Sequence, residues 1–206
     1  MLVHLVVLNR EGRAAMAECL PSVLRAARTS RHRCDVTVID NDASGDSAAW
    51  LGEHFPSVQV IREPNCGRCG YNEVIGSLSG RIAVLLDGDV RLAENSVDPL
   101  VEPLLAEQSD CFMTAPMCRR FDGQQYEGFR MAVAWRWGLV QPTAHFPGHM
   151  ATIDQPGPTA SADNVMAIDC RKFAELGGFD PLYLPGPFEA FDFAFRGFLR
   201  GYWACY

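Results

Sequence analysis

The stretch RIAVLLDGDVRL, residues 81–92, decides how the chain is built. Ile82 to Leu86 are apolar without a break, so both faces of a strand made from them need covering, as in a parallel sheet between helices. The run then ends in two carboxylates, Asp87 and Asp89, with Gly88 between them. Ligands in open α/β sheets sit beyond the carboxyl ends of the strands, so paired acid at that place reads as a binding edge. Upstream the same grammar repeats. LVHLVVLN, residues 2–9, is a strand, and Met16, Leu20, Val23, Leu24 and Ala27 recur at helical spacing over residues 13–28. Pro21 is expected to disturb the middle of that helix. CDVTVIDNDASGD is a second strand running into acid and glycine, SAAWLGEHF a helix, and SVQVIREP a third strand. GRCGYNEVIGSLSG reads as a helix closed by Gly80, and CFMTAPMCRRF as a fifth strand. Strand and helix alternate, which predicts a parallel sheet covered on both faces. Asn9, Asp40 and Asp87 then fall at the same end of successive strands.

Composition narrows the function. With 206 residues and 48% hydrophobic content the chain supports one well-cored domain. A formal charge of −7 without any basic run argues against nucleic acid or an anionic membrane surface as the main partner, and means that a phosphate ligand needs a local cation. No apolar run is long enough for a signal peptide or a transmembrane segment, so the expected location is cytoplasmic, free or peripheral at a membrane. The 8 cysteines are scattered, which suits a reducing compartment. Cys66 and Cys69 have metal-like spacing but no second pair, and are read as plain thiols.

Two carboxylates one glycine apart can converge on a hard divalent cation, Mn²⁺ or Mg²⁺. Such an ion, held by one or two carboxylates, completes its shell with water and substrate phosphate oxygens. That chemistry suits a nucleotide diphosphate.

Six segments in order, VVLNREG, VTVIDNDASGDSAAWL, FPSVQVIREPNCGRCGYNEVIGSLSG, IAVLLDGDVRL, CRKFAELGGFDPLYL and FEAFDFAFRGFLRGYWACY, resemble the family 2 glycosyltransferases. The resemblance implies the GT-A fold, an α/β architecture with a Rossmann-like, mostly parallel sheet flanked by helices. It implies one domain over residues 1–206, with a nucleotide-donor half in 1–110 and an acceptor half in 111–206. It places Asn9 and Asp40 against the nucleotide, Arg68 by the nucleotide or diphosphate, and Asp87 and Asp89 on the metal. Asn65 and Asn72 match asparagines that cap and brace a helix, and Asp163 and Asn164 lie near the acceptor site. The donor is a nucleotide-diphosphate sugar; the acceptor is a glycan, lipid, peptide or small molecule with a hydroxyl or amine. Trp135, Trp137, His145 and His149 lie in a Pro- and Gly-rich stretch suited to the acceptor side, where aromatic faces meet sugars.

PGPFEAFDFAFRGFLRGY carries the chemistry. On a helix Phe188, Phe191, Phe195 and Phe198 share one face, and Glu189, Asp192 and Arg196 another. The family pattern here is Glu-Asp-x-Asp with the second acid as base, but this chain has Ala190 at that position. An inverting transfer needs a base for the acceptor proton, which leaves Glu189 as the first choice, with Asp192 or a loop residue as the others. The chain also stops just past this helix, where many relatives continue. Two other readings stay open: a nucleotide-sugar-binding module without its base, and a nucleotidyltransferase. The second would need a glycine-rich loop that LNREGRAAM does not supply.

Overall fold

The computed structural model describes the chain apart from residues 42–45, 64–65, 107–108, 124, 129, 144–147, 153, 163, 185 and 187, with backbone alone at 127 and 128. Asn65, His145 and Asp163 therefore lie outside the described residues.

Strand and helix alternate through β1 (Leu2–Asn9), α1 (Arg13–Thr29), β2 (Arg33–Asp40), α2 (Ser47–His54), β3 (Gln59–Arg62), α3 (Gly70–Ser77), β4 (Ile82–Asp87), α4 (Val97–Leu105) and β5 (Cys111–Thr114). Two short ladders follow, β6 (Cys118–Arg119) with β7 (Tyr126–Gly128) and β8 (Ala132–Arg136) with β9 (Leu139–Thr143). The chain then re-enters the sheet as β10 (Val165–Asp169), leaves through α5 (Cys170–Glu175) and α6 (Glu189–Leu199), and ends in β11 (Trp203–Cys205). The main sheet has seven strands in the order β11-β5-β10-β4-β1-β2-β3. β10 runs antiparallel to both of its neighbours, and every other pairing is parallel. This is the α/β sheet that the apolar runs predict, parallel except at β10, which makes it the mostly parallel sheet of the GT-A resemblance.

Register does the positioning. Asn9 pairs with Asp40, and Leu8 with Asp87, so the polar ends of three strands lie side by side. All of β4 is buried, and two apolar clusters cover the sheet, one under α1 and α4, the other under α3 and α6. Each buried Val, Leu or Ile there is worth about 1.5–3 kcal/mol.

Three local expectations need correction. α1 runs unbroken through Pro21, because Met16, Cys19, Leu20, Val23 and Ala26 are all buried against the sheet and outweigh one missing backbone hydrogen bond. α3 closes at Ser77 rather than Gly80, whose role is close approach: a Cβ there would lie 2.6 Å from the His4 ring. In α6 the core face is not the Phe188/Phe191/Phe195/Phe198 stripe. Ala190, Phe193, Ala194 and Gly197 face inward, while Phe188 is exposed. Phe193 packs at 5.0 Å from Phe173 and 5.3 Å from Phe112, and Gly197 lets the helix lie directly on the Phe112 ring, 2.3 Å from where a Cβ would stand.

Candidate active site

The carboxyl ends of β1, β2 and β4 carry buried polar side chains where an isolated one would be costly. Asn9 is fully buried; its amide donates to Asp40 Oδ1 at 2.9 Å and its Oδ1 accepts from Gly12 N–H at 3.0 Å. Asn9 thus ties the loop after β1 to the end of β2, and Asp40 is held in place. Next to it Asn41 is 3% exposed, and among the described residues neither its Nδ2 nor its Oδ1 finds a hydrogen-bond partner.

Asp87, 6% exposed, faces two guanidinium groups. Arg68 donates to its Oδ2 at 3.1 Å and Arg10 stands 3.5 Å from the same oxygen. Burial opposes the charge on Arg68, yet Asp87, with Tyr71 and Glu189, holds its pKa above the ordinary value. Tyr71 donates to Leu86 O at 2.8 Å under this pair, and burial first, then Asp87, push its phenol well upward. The two arginines thus put two cations beside Asp87 in a chain of net charge −7.

Asp87, Arg10 and Arg68 share a cavity of about 570 Å³ with Asn164, Glu189 and Phe191. Glu189 opens α6 and is only 4% exposed. Gly186, in the left-handed region (φ 98°), makes room for its carboxylate: a Cβ there would lie 3.2 Å from Oε2. β10 brings in Asn164, whose carbonyl accepts from Asp87 N–H at 2.9 Å.

The structure thus gathers Asp87, Arg68 and Glu189 in one cavity, with the Asn9–Asp40 pair at the neighbouring strand ends. Asp89 lies on the other side of Gly88. It is exposed and borders a second cavity of about 660 Å³, with Arg91, Arg119 and Phe121; Asn164 reaches both cavities. Among the described residues no three His, Cys, Asp or Glu side chains gather into a metal-binding group. Two carboxylates are the right chemistry for a hard cation that takes its remaining oxygens from a ligand, but Asp87 and Asp89, on either side of Gly88, border different cavities.

Asp192 is placed differently. It takes Arg196 Nε at 2.8 Å and Nη2 at 2.7 Å, and Arg196 in turn donates to the carbonyls of Leu176 and Gly178. That is a brace for the turn after α5, where Gly177 and Gly178 both have positive φ. Asn72 braces the same region, exchanging hydrogen bonds of 2.8 and 2.9 Å with the backbone of Phe179. Trp135 and Trp137 sit exposed on the β8–β9 hairpin, and His149 in a short helical turn beyond it. Cys66 and Cys69 are free thiols.

Sequence reasoning passed over Arg10, Asn41 and Gly186. Arg10 had a signal: it is the first cation after the first strand in a chain whose acidity demands one. Gly186 had none, since its role depends on which way α6 faces.

Residues 3–168 match the model of glycosyl transferase family 2. No curated protein sequence matches significantly. Among solved structures, the crystal structure of GalNAc-T7 with UDP, GalNAc and Mn²⁺ superposes with a TM-score of 0.71 at 19% identity, covering 100% of this chain and 42% of that one. The mannosyltransferase PcManGT from Pyrobaculum calidifontis, in complex with GDP-Man and Mn²⁺, gives 0.67 at 16% identity, over 98% of this chain and 53% of that one. S. aureus TarS 1-349 gives 0.66 at 13% identity, over 97% and 56%. The chain spans about half the length of these structures. Likeness at such identity shows the fold.

Proposed function

Because the chain belongs to glycosyl transferase family 2, we propose that its cavity carries out an inverting, metal-dependent transfer of a sugar from a nucleotide diphosphate to an acceptor hydroxyl or amine. The observation that carries this reading is the shared cavity: a buried acid, Glu189, lines it together with buried Asp87, partly buried Arg68 and the more exposed Arg10.

Each group has a task in that reaction. Glu189 accepts the proton of the acceptor O–H or N–H as the acceptor atom bonds to the anomeric carbon. The bond from that carbon to the diphosphate oxygen breaks, and the electron pair leaves with the diphosphate. Arg10 and Arg68 hold the negative charge that develops there, in a site where partial exclusion of water strengthens the attraction. Asp87 and Asp89 would hold Mn²⁺ or Mg²⁺, which supplies further neutralisation of the diphosphate when bound. Asp40, fixed by Asn9, contacts the base or ribose. The metal-bearing structures of GalNAc-T7 and PcManGT support the metal assignment by likeness of fold.

The experiment is a thermal-shift panel of nucleotide diphosphates and their sugars with and without Mn²⁺ or Mg²⁺, followed by NMR of any transfer product. A ligand that binds only the folded state raises Tm. The expected result is a metal-enhanced shift and a product of opposite anomeric configuration to the donor; retained configuration refutes the role of Glu189. A shift with no transfer to any acceptor would favour a binding module, the reading motivated by Ala190.

A further inference from the structure

We propose that the β8–β9 hairpin is a membrane-docking element that seats on an anionic lipid surface. The inference does not depend on the sugar-transfer reading. It starts from a hairpin that pairs with no other strand among the described residues. A two-stranded ribbon is marginal in water on its own, and this one projects the wrong residues into solvent. Trp137 is 97% exposed, Trp135 72%, Leu139 68% and Val133 48%. Contiguous apolar exposure of this kind marks a contact surface.

The arrangement selects the partner. Val133 and Trp135 pair with Pro142 and Val140 on one face of the ribbon, while Leu139 stands opposite Arg136 on the other. The apolar groups therefore lie on both faces and at the tip. A sugar or a protein groove would cover one face, whereas a lipid interface surrounds an inserted tip on all sides. Trp137 also occupies a turn position with φ 56°, beside Gly138 at φ 77°, a two-residue pattern in which Asn-Gly is favoured. The turn itself gives no reason for a tryptophan, but the headgroup region does, because amphipathic rings gather there.

Charge agrees. From Arg130 to Ile153 the sequence holds two arginines, two histidines and no acid, in a chain with 25 acidic residues and a net charge of −7. Arg136, exposed between the two tryptophans, is placed for a lipid phosphate. The hairpin also borders the cavity: Met131, just before β8, and Pro142, in β9, are among its lining residues. Docking by the tip would hold the cavity mouth at the bilayer, where an acceptor with a lipid tail could enter.

The test is co-sedimentation of the whole chain with vesicles of phosphatidylcholine, alone and mixed with phosphatidylglycerol, with brominated lipid to quench inserted tryptophan. Wild type should pellet with the mixed vesicles and be quenched. W135S/W137S should lose binding by at least about tenfold, and R136E should lose most of the preference for phosphatidylglycerol. Thermal melts and nucleotide binding of both variants, unchanged, show that the fold survives. The proposal is overturned if wild type does not pellet, if it pellets equally with neutral lipid, or if W135S/W137S pellets as well as wild type. It is also overturned if vesicle-free sedimentation shows a dimer that the tryptophan substitutions dissolve, which would make a second copy the occupant.

Discussion

Ala190→Asp restores the acid that the family pattern carries one residue after Glu189, and the structure predicts that it harms the protein. Ala190 is 2% exposed and belongs to the apolar cluster that includes Phe173, Phe179 and Phe193. The adjacent Glu189, not position 190, turns toward the cavity. An aspartate at 190 would be an uncompensated buried charge, a defect that costs about 3–5 kcal/mol. For a chain of this size each kcal/mol moves Tm by roughly 2–4 °C, so the melt at pH 8 should fall by roughly 6–20 °C. Burial raises the folded-state pKa of the new carboxyl above its unfolded value, near about 3.9. The folded state then binds more protons than the unfolded one, and stability falls as pH rises through that window. Melts at pH 4.5 and 8 measure the difference: the variant should lie closer to the parent at the lower pH. A variant that melts within about 2 °C of wild type at pH 8, or that transfers sugar faster, would place position 190 in the cavity and refute the assignment of faces in α6.

Four further outcomes are expected. Glu189→Gln should lower transfer by about 10²-fold or more with donor affinity unchanged, read from kcat and from calorimetry; an unaffected rate excludes Glu189 as base. Asp40→Asn, which removes the negative charge of a carboxylate held by Asn9, should weaken nucleotide binding equally with and without divalent ions; a loss confined to the metal-containing titration contradicts it. Asp89→Ala should melt like wild type, because the side chain is exposed, while the metal-dependent part of nucleotide-diphosphate affinity disappears from the calorimetric titration. Arg68→Met removes a guanidinium 3.1 Å from Asp87; Mn²⁺ alone should then bind more tightly by electron paramagnetic resonance, and nucleotide diphosphate without metal more weakly. No change in either titration would mean that Arg68 only packs.

How far the sequence reaches depends on whether local pattern or tertiary contact decides a feature. The strand ends at Asn9, Asp40 and Asp87 are legible because a continuous apolar run has an unambiguous end, and parallel pairing aligns those ends. The orientation of α6 is not. Phenylalanines stand at 188, 191, 193, 195 and 198, so a wheel offers more than one apolar face. Packing chose the face bearing Ala190, Ala194 and Gly197, since small side chains allow the helix to approach the Phe112 ring. Likewise the two acids flanking Gly88 look equivalent in the sequence, but one turns toward arginines in one cavity and the other borders a second. Pro21 shows the reverse case, a local breaker overruled by a buried helix face.

The place of β10 in the sheet bears on how the molecule opens. Its five residues, drawn from the far end of the chain, lie between β4 and β5, so the amide groups along one side of the strand that ends in Asp87 are closed off by residues 165–169. A ribbon inserted in this way cannot be withdrawn without uncovering its neighbour, and slow hydrogen exchange in β4 and β10 should therefore be lost in the same event. Nucleotide bound over β1, β2 and β4 would then slow exchange in the Val165 to Asp169 amides of β10, which it never touches, making the two parts of the chain one cooperative unit of opening.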